Sequence, residues 1–170
     1  MPAARTRPAR PIRPALPALP TFASLDETHR QIIDGLGQLD SLLALLTRPG
    51  AETSAAALAA RICRFFGTIA RDHHELEETR VFPNLLENGN AGWRAHVQRL
   101  QQDHDWLEED WLELEPHLQA IANGYRADHS EFLREALPGF TALYHEHIAL
   151  EESLVYPEAR RRAAARDATA

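Results

Sequence analysis

One eleven-residue pattern occurs twice in this chain, as His73-His-Glu-Leu-Glu77-Glu-Thr-Arg-Val-Phe-Pro83 and as His147-Ile-Ala-Leu-Glu151-Glu-Ser-Leu-Val-Tyr-Pro157. Both copies read His-x-x-Leu-Glu-Glu-x-x-Val-[Phe/Tyr]-Pro. A histidine and a carboxylate four residues apart lie one above the other on a helix face. Two such pairs, on two helices, supply imidazole nitrogen and carboxylate oxygen, donors that suit a pair of metal ions, whether iron, zinc or manganese. The repeat extends to helix pairs. His29 and His104 are 75 residues apart, each with a leucine four residues earlier (Leu25, Leu100), and His73 and His147 are 74 apart. The first half of the chain thus corresponds to the second, and a pseudo-twofold bundle brings all four histidines to one level.

The chain's 170 residues suffice for one domain with a sizeable core. Abundant Leu, Ala and Glu with sparse Gly favour an all-α fold. A net charge of -7 argues against a nucleic-acid or anionic-membrane partner. No apolar run reaches spanning length, and a cytoplasmic protein is expected. The single cysteine, Cys63, excludes an intrachain disulfide and an all-thiolate metal site, and its apolar neighbours mark it as a small core residue.

Three segments are expected: a disordered Pro/Arg-rich tail over 1–22, a folded domain over 23–162, and a C-terminal tail over 163–170. Proline at the density of the first segment opposes a helix, and its Pro-Ala-Leu-Pro run makes a poor signal-peptide core. The folded part reads as an antiparallel four-helix bundle. The first helix runs from about Ser24, with Ser24 or Asp26 near its cap, to Thr47 before Pro49-Gly50. The second spans about Thr53 to Leu86, closed by Asn88-Gly89-Asn90. The third begins near Gly92 and reaches Glu115, where Pro116 should kink or stop it. The fourth starts at an Asp128-x-x-Glu131 capping box and ends near Arg162, with Pro138-Gly139 bending or breaking it early.

Each candidate ligand sits on an apolar stripe at helical spacing. Leu25, Ile32, Ile33 and Leu36 flank His29; Phe66, Ile69, Ala70 and Val81 flank His73 and Glu77. Val97, Leu100, Leu107 and Trp111 flank His104; Phe140, Tyr144, Leu154 and Val155 flank His147 and Glu151. Six ionisable groups therefore converge on one interior. Leaving them unpaired would cost several kcal/mol per charge, and a metal pair meets that cost. His74, His96, His117, His129 and His145 fall off these stripes or lack a repeat partner, and are expected at the surface; His74 with Glu78 is the one competing register, and the repeat aligned on Pro83 and Pro157 selects His73 and Glu77. Trp106, Trp111 and Tyr144 read as core packing that also excludes water. A ferritin-like site would need Glu-x-x-His, which does not occur; Asp26-x-x-His29 comes nearest.

On these residues the chain resembles the hemerythrin-like family, the HHE cation-binding domain, over about residues 24–158. The resemblance implies a non-haem di-iron centre. In it, His29, His73, His104 and His147 are terminal ligands, and Glu77 and Glu151 bridge two iron ions beside an oxo or hydroxo group. The family's oxygen carriers place a second histidine four residues after that of the third helix, where this chain has Glu108. They also use an aspartate, with one extra residue of spacing, where it has Glu151. Both departures resemble the bacterial-type members. Glu108 has three readings: a seventh metal ligand, a base beside an open position, or neither. As a ligand it would add negative charge and favour the ferric state.

The resemblance leaves three roles. The first is a binding protein for oxygen, nitric oxide or peroxide, in sensing, storage or stress response. The second is enzyme-like: turnover of peroxide or nitric oxide, or iron donation for iron–sulfur cluster repair. The third is a structural metal bundle. Repair-type relatives carry an extra N-terminal cysteine-containing domain, and a Pro/Arg tail in its place counts against repair. The expected partner is a small diatomic or peroxide ligand, and a protein redox partner is compatible with that chemistry.

Overall fold

A computed structural model describes residues 22–87, 89–125 and 129–168. The tail before Phe22, Asn88 and the Asp128 capping box lie outside the described residues. All regular structure described is helical, and the four helices pack together as expected from the sequence. The first helix is Phe22–Leu46, so Ser24 and Asp26 lie inside it and not at its cap. The second occupies residues 52–87, the third Ala91–Ala122, and the fourth residues 129–167. Each packs on its chain neighbours, and the first closes against the fourth. Among the described residues no helix is long and apolar enough to cross a membrane.

Local chemistry sets the helix ends. Asn90 caps the third helix, its side-chain oxygen accepting from the Trp93 N–H at 3.2 Å. Gly124 follows that helix with φ 92°, a conformation that favours glycine. The fourth helix continues to Asp167, five residues beyond its expected end at Arg162. Arg162 sits there between Glu158, at 2.7 Å, and the carbonyl oxygen of Asn84, at 2.9 Å, tying the segment to the second helix.

Neither internal proline breaks its helix. Pro116 and Pro138 are both exposed, and the carbonyls they leave without an N–H belong to the exposed Leu112 and Arg134, where solvent can replace the lost donor. The departures from α geometry occur elsewhere. The second helix widens into π-helical turns at Phe65–Ala70 and Glu77–Val81, and the fourth at Glu151–Val155. The last two are the same part of the duplicated motif. In each, the N–H of the aromatic residue before proline reaches back to the carbonyl of the glutamate (Phe82 to Glu77, Tyr156 to Glu151). Pro83 and Pro157 supply no N–H to an α ladder, and the wider turn relieves the ring's clash with the preceding turn. The widening also explains two misplaced stripe residues. Ile69 and Leu154 each lie within a π turn and are exposed, whereas a constant helical period points them inward. Ile33, at the edge of its stripe, is also exposed.

The core has two apolar halves. One is built around Ile32, Leu36, Phe66, Trp111, Phe140 and Tyr144; the other around Leu25, Val81, Phe82, Leu100, Val155 and Tyr156. Along every helix the candidate ligands fall between the two. Cys63 packs against the first half, where burial pushes its thiol up to about 11 and keeps it a neutral, unreactive group.

Candidate metal centre

His29, His73, Glu77, His104, His147 and Glu151 are all buried in the layer between the two apolar halves, the two glutamates with no exposed surface. Within each duplicated pair the imidazole faces the carboxylate one turn on: His73 Nε2 is 3.4 Å from Glu77 Oε1, and His147 Nε2 is 3.2 Å from Glu151 Oε2. The carboxylates also reach the other two helices. His29 Nε2 lies 3.2 Å from Glu151 Oε2, and His104 Nε2 lies 3.5 Å from Glu77 Oε2. The donor atoms form two compact groups, His29–His73–Glu77–Glu151 and His104–His147–Glu77–Glu151, each with its ligand atoms within 4.8 Å of one another. Both groups contain both glutamates.

The donors are under-satisfied. Both ring nitrogens of His73, Nδ1 of His147, Oε2 of Glu77 and both oxygens of Glu151 are buried without a hydrogen-bond partner. Unpaired buried polar atoms are rare and costly. Here they gather in one layer and consist of the nitrogen and oxygen donors that suit a first-row transition metal.

The second glutamate of each motif copy orients the imidazole of a neighbouring helix. His104 Nδ1 is 2.8 Å from Glu78 Oε1, and His29 Nδ1 is 3.0 Å from Glu152 Oε1. A carboxylate on Nδ1 fixes the tautomer that leaves Nε2 free for a metal, and raises the basicity of that nitrogen. The motif's aromatic residue backs the same ring: Phe82 stacks on His104 with centroids 5.8 Å apart, and Tyr156 on His29 at 5.1 Å. At this aromatic position the copies differ by one polar group, the Tyr156 hydroxyl, which donates to Glu77 Oε1 and approaches His29 Nε2 at 3.2 Å. The repeat of Glu-Glu was visible in the sequence and was the available signal for Glu78 and Glu152, which sequence reasoning left without a role. Each is expected to support one half of the centre. Glu78→Ala should weaken metal binding at the His104 group, and Glu152→Ala at the His29 group, by roughly 10–100-fold, measured by competition with a chromophoric chelator.

With protons as the only counter-charge, the cluster is polarised. Burial, then the neighbouring Glu151, pushes Glu77 up to about 7. Burial would also raise Glu151, but the positive charges of His147 and His29, each with Nε2 3.2 Å from its Oε2, hold it well below the usual carboxylate range. Burial works against protonated His147, yet Glu151 and Asp103 outweigh it and raise that imidazole to about 10. Asp103 is itself held by Arg99 at 2.9 Å. His73 goes the other way, to about 3, through burial and then the charge of His29.

Three residues depart from expectation. Glu108 is not brought into the cluster. It is 51% exposed, with its carboxylate 3.0 Å from the Arg71 guanidinium, so a solvent-facing partner claims it. The charge effect expected of a Glu108 ligand has no geometric basis. His74, expected at the surface, is largely covered. Its ring stacks on His104 at 4.1 Å and 13°, its Nε2 is buried, and it forms a further compact group with His104 and His147. Trp111 and Tyr144 belong to the core, as read, whereas Trp106 is 46% exposed.

Comparison with known proteins agrees with this geometry. The family model described as the hemerythrin HHE cation binding domain matches residues 21–159. An uncharacterized protein of Haemophilus influenzae is 32% identical over 94 residues, a stretch covering 55% of this chain and 52% of that relative. The match thus spans about half the length of that relative. No solved structure matches.

Proposed function

The chain belongs to the hemerythrin HHE cation-binding domain family, and we propose that it holds two iron ions at this cluster and binds oxygen, nitric oxide or peroxide there, in sensing, storage or stress response. The observation that carries the reading is the pair of four-residue groups that share Glu77 and Glu151. Two ions with two carboxylates in common is the economical way to satisfy those groups. His29 and His73 would hold one ion and His104 and His147 the other, with Glu77 and Glu151 available to both. Iron fits the mixed imidazole and carboxylate donor set. When bound, such a pair supplies redox chemistry and coordination of small ligands.

The chain's own residues do the rest. Glu78 and Glu152 hold Nδ1 of their histidines and so aim Nε2 inward. The Tyr156 hydroxyl holds a proton against Glu77; burial raises its pKa, so it remains a neutral donor. Phe66, Trp111 and Tyr144 line a groove of about 370 Å³ between the second and third helices, which reaches His74 and His104 and gives a small ligand a way in. An enzyme-like use of this centre is the second reading, favoured by the Tyr156 proton next to the bridging carboxylate.

The test is metal analysis by mass spectrometry on untagged protein from cells supplied with several metals, followed by azide addition to the oxidised protein. The expected result is about two irons per chain and a new visible absorption band with azide. Stoichiometric zinc would overturn the redox reading, and iron with no azide response would leave a structural bundle.

A further inference from the structure

We propose that His74 is a metal ligand of the His104–His147 group, giving that half of the centre a third imidazole that the other half lacks. The inference rests on the two-metal reading above. Three observations carry it. The ligand nitrogens of His74, His104 and His147 lie within 4.8 Å of one another, the spacing of donors around one ion. Nε2 of His74 is buried with no hydrogen-bond partner, although the residue sits beside a groove where water or several carboxylates could have satisfied it. Its ring stacks on that of His104 and lies 5.6 Å from that of His147, which holds it beside both imidazoles.

The position makes chemical sense of Glu108. One turn after His104, the third helix offers that carboxylate to Arg71 and solvent and provides no second donor. The second helix, by contrast, places two consecutive histidines on either side of the cluster. His73 faces the His29 group and His74 the His104 group, with ring centroids 6.0 Å apart. The π turn over Phe65–Ala70, directly before them, sets the rotation of this segment. The centre is therefore asymmetric: two imidazoles at its closed end and three at the end facing the groove.

The experiment loads the full chain anaerobically with ferrous iron and follows release to excess ferrous chelator in the wild type, His74→Ala and His74→Phe. Phenylalanine keeps a ring to stack on His104 but has no donor nitrogen, and far-UV circular dichroism reports the fold of each variant. In both variants one ion is expected to leave roughly tenfold or more faster than in the wild type, with the other unchanged. Wild-type release from both variants overturns the proposal. So does fast release from the alanine variant that phenylalanine restores, since that assigns His74 to packing. A wild-type chain holding a single ion would sink the two-metal reading instead; faster loss of that ion from both variants would still support His74, and unchanged loss would refute it.

Discussion

Glu151→Ala is expected to remove both metal ions from the protein, whereas His29→Ala should remove one. The difference follows from membership. Glu151 belongs to both donor groups, and its Oε2 is 3.2 Å from His29 Nε2 in one and 3.2 Å from His147 Nε2 in the other. His29 belongs to the first group only. Deleting the shared carboxylate also strips the counter-charge from His147, whose raised pKa depends largely on it. Without that carboxylate burial favours the neutral imidazole, so the expected loss of metal from its half comes from the missing shared donor. Glu77→Ala should behave like Glu151→Ala, and His73→Ala like His29→Ala. Metal-to-protein ratios by mass spectrometry, with circular dichroism as the folding control, decide the matter. Loss of a single ion in Glu151→Ala would show that the carboxylate serves one position, and the bridged arrangement would have to be abandoned.

Much of this centre was legible because the duplicated motif constrains two helices at once. His73 with Glu77 and His147 with Glu151 share both spacing and apolar flanks, and His29 and His104 follow from the same repeat. What was not legible depends on how helices are rotated and what lies across from them. A constant period of 3.6 residues places His74 outside and Ile69 and Leu154 inside. The π turns at Phe65–Ala70 and Glu151–Val155 alter that phase, and nothing in single-residue propensity announces the first of them. Pro83 and Pro157 were such an announcement, since a missing N–H must be absorbed somewhere upstream. Glu108 failed for another reason. It lies at the border of its stripe, where sequence alone cannot tell a buried metal from the guanidinium of Arg71 as the partner. Pro116 and Pro138 looked like breaks because their exposure, which makes the lost hydrogen bond cheap, is a tertiary property.

Metal removal should cost the fold heavily, and more so at alkaline pH. An ion that binds only the folded chain adds about 4 kcal/mol at a thousandfold excess over its Kd. In a chain of this size each kcal/mol moves Tm by about 2–4 °C. Chelation should therefore lower Tm by roughly 8–16 °C per tightly held ion. The pH dependence of the chelated protein follows from His147. Its pKa is raised from 6.5 to about 10 on folding, so between those values the folded state binds more protons than the unfolded one. Its stabilising contribution is complete below the unfolded value and is lost as pH rises towards 10. Glu77, raised from 4.5 to about 7, acts with the same sign at lower pH. His73, lowered to about 3, has the opposite sign and offsets it below pH 6.5. Stability of the chelated chain should thus decline above about pH 7. Metal competes with those same protons, so its binding strengthens over the same range and releases protons to the buffer. The gap in Tm between loaded and chelated protein should widen from pH 6.5 to 9, as followed by calorimetry at matched ionic strength. A gap that stays constant or narrows would mean that His147 does not exchange a proton for the metal and that its imidazole is already neutral in the chelated chain.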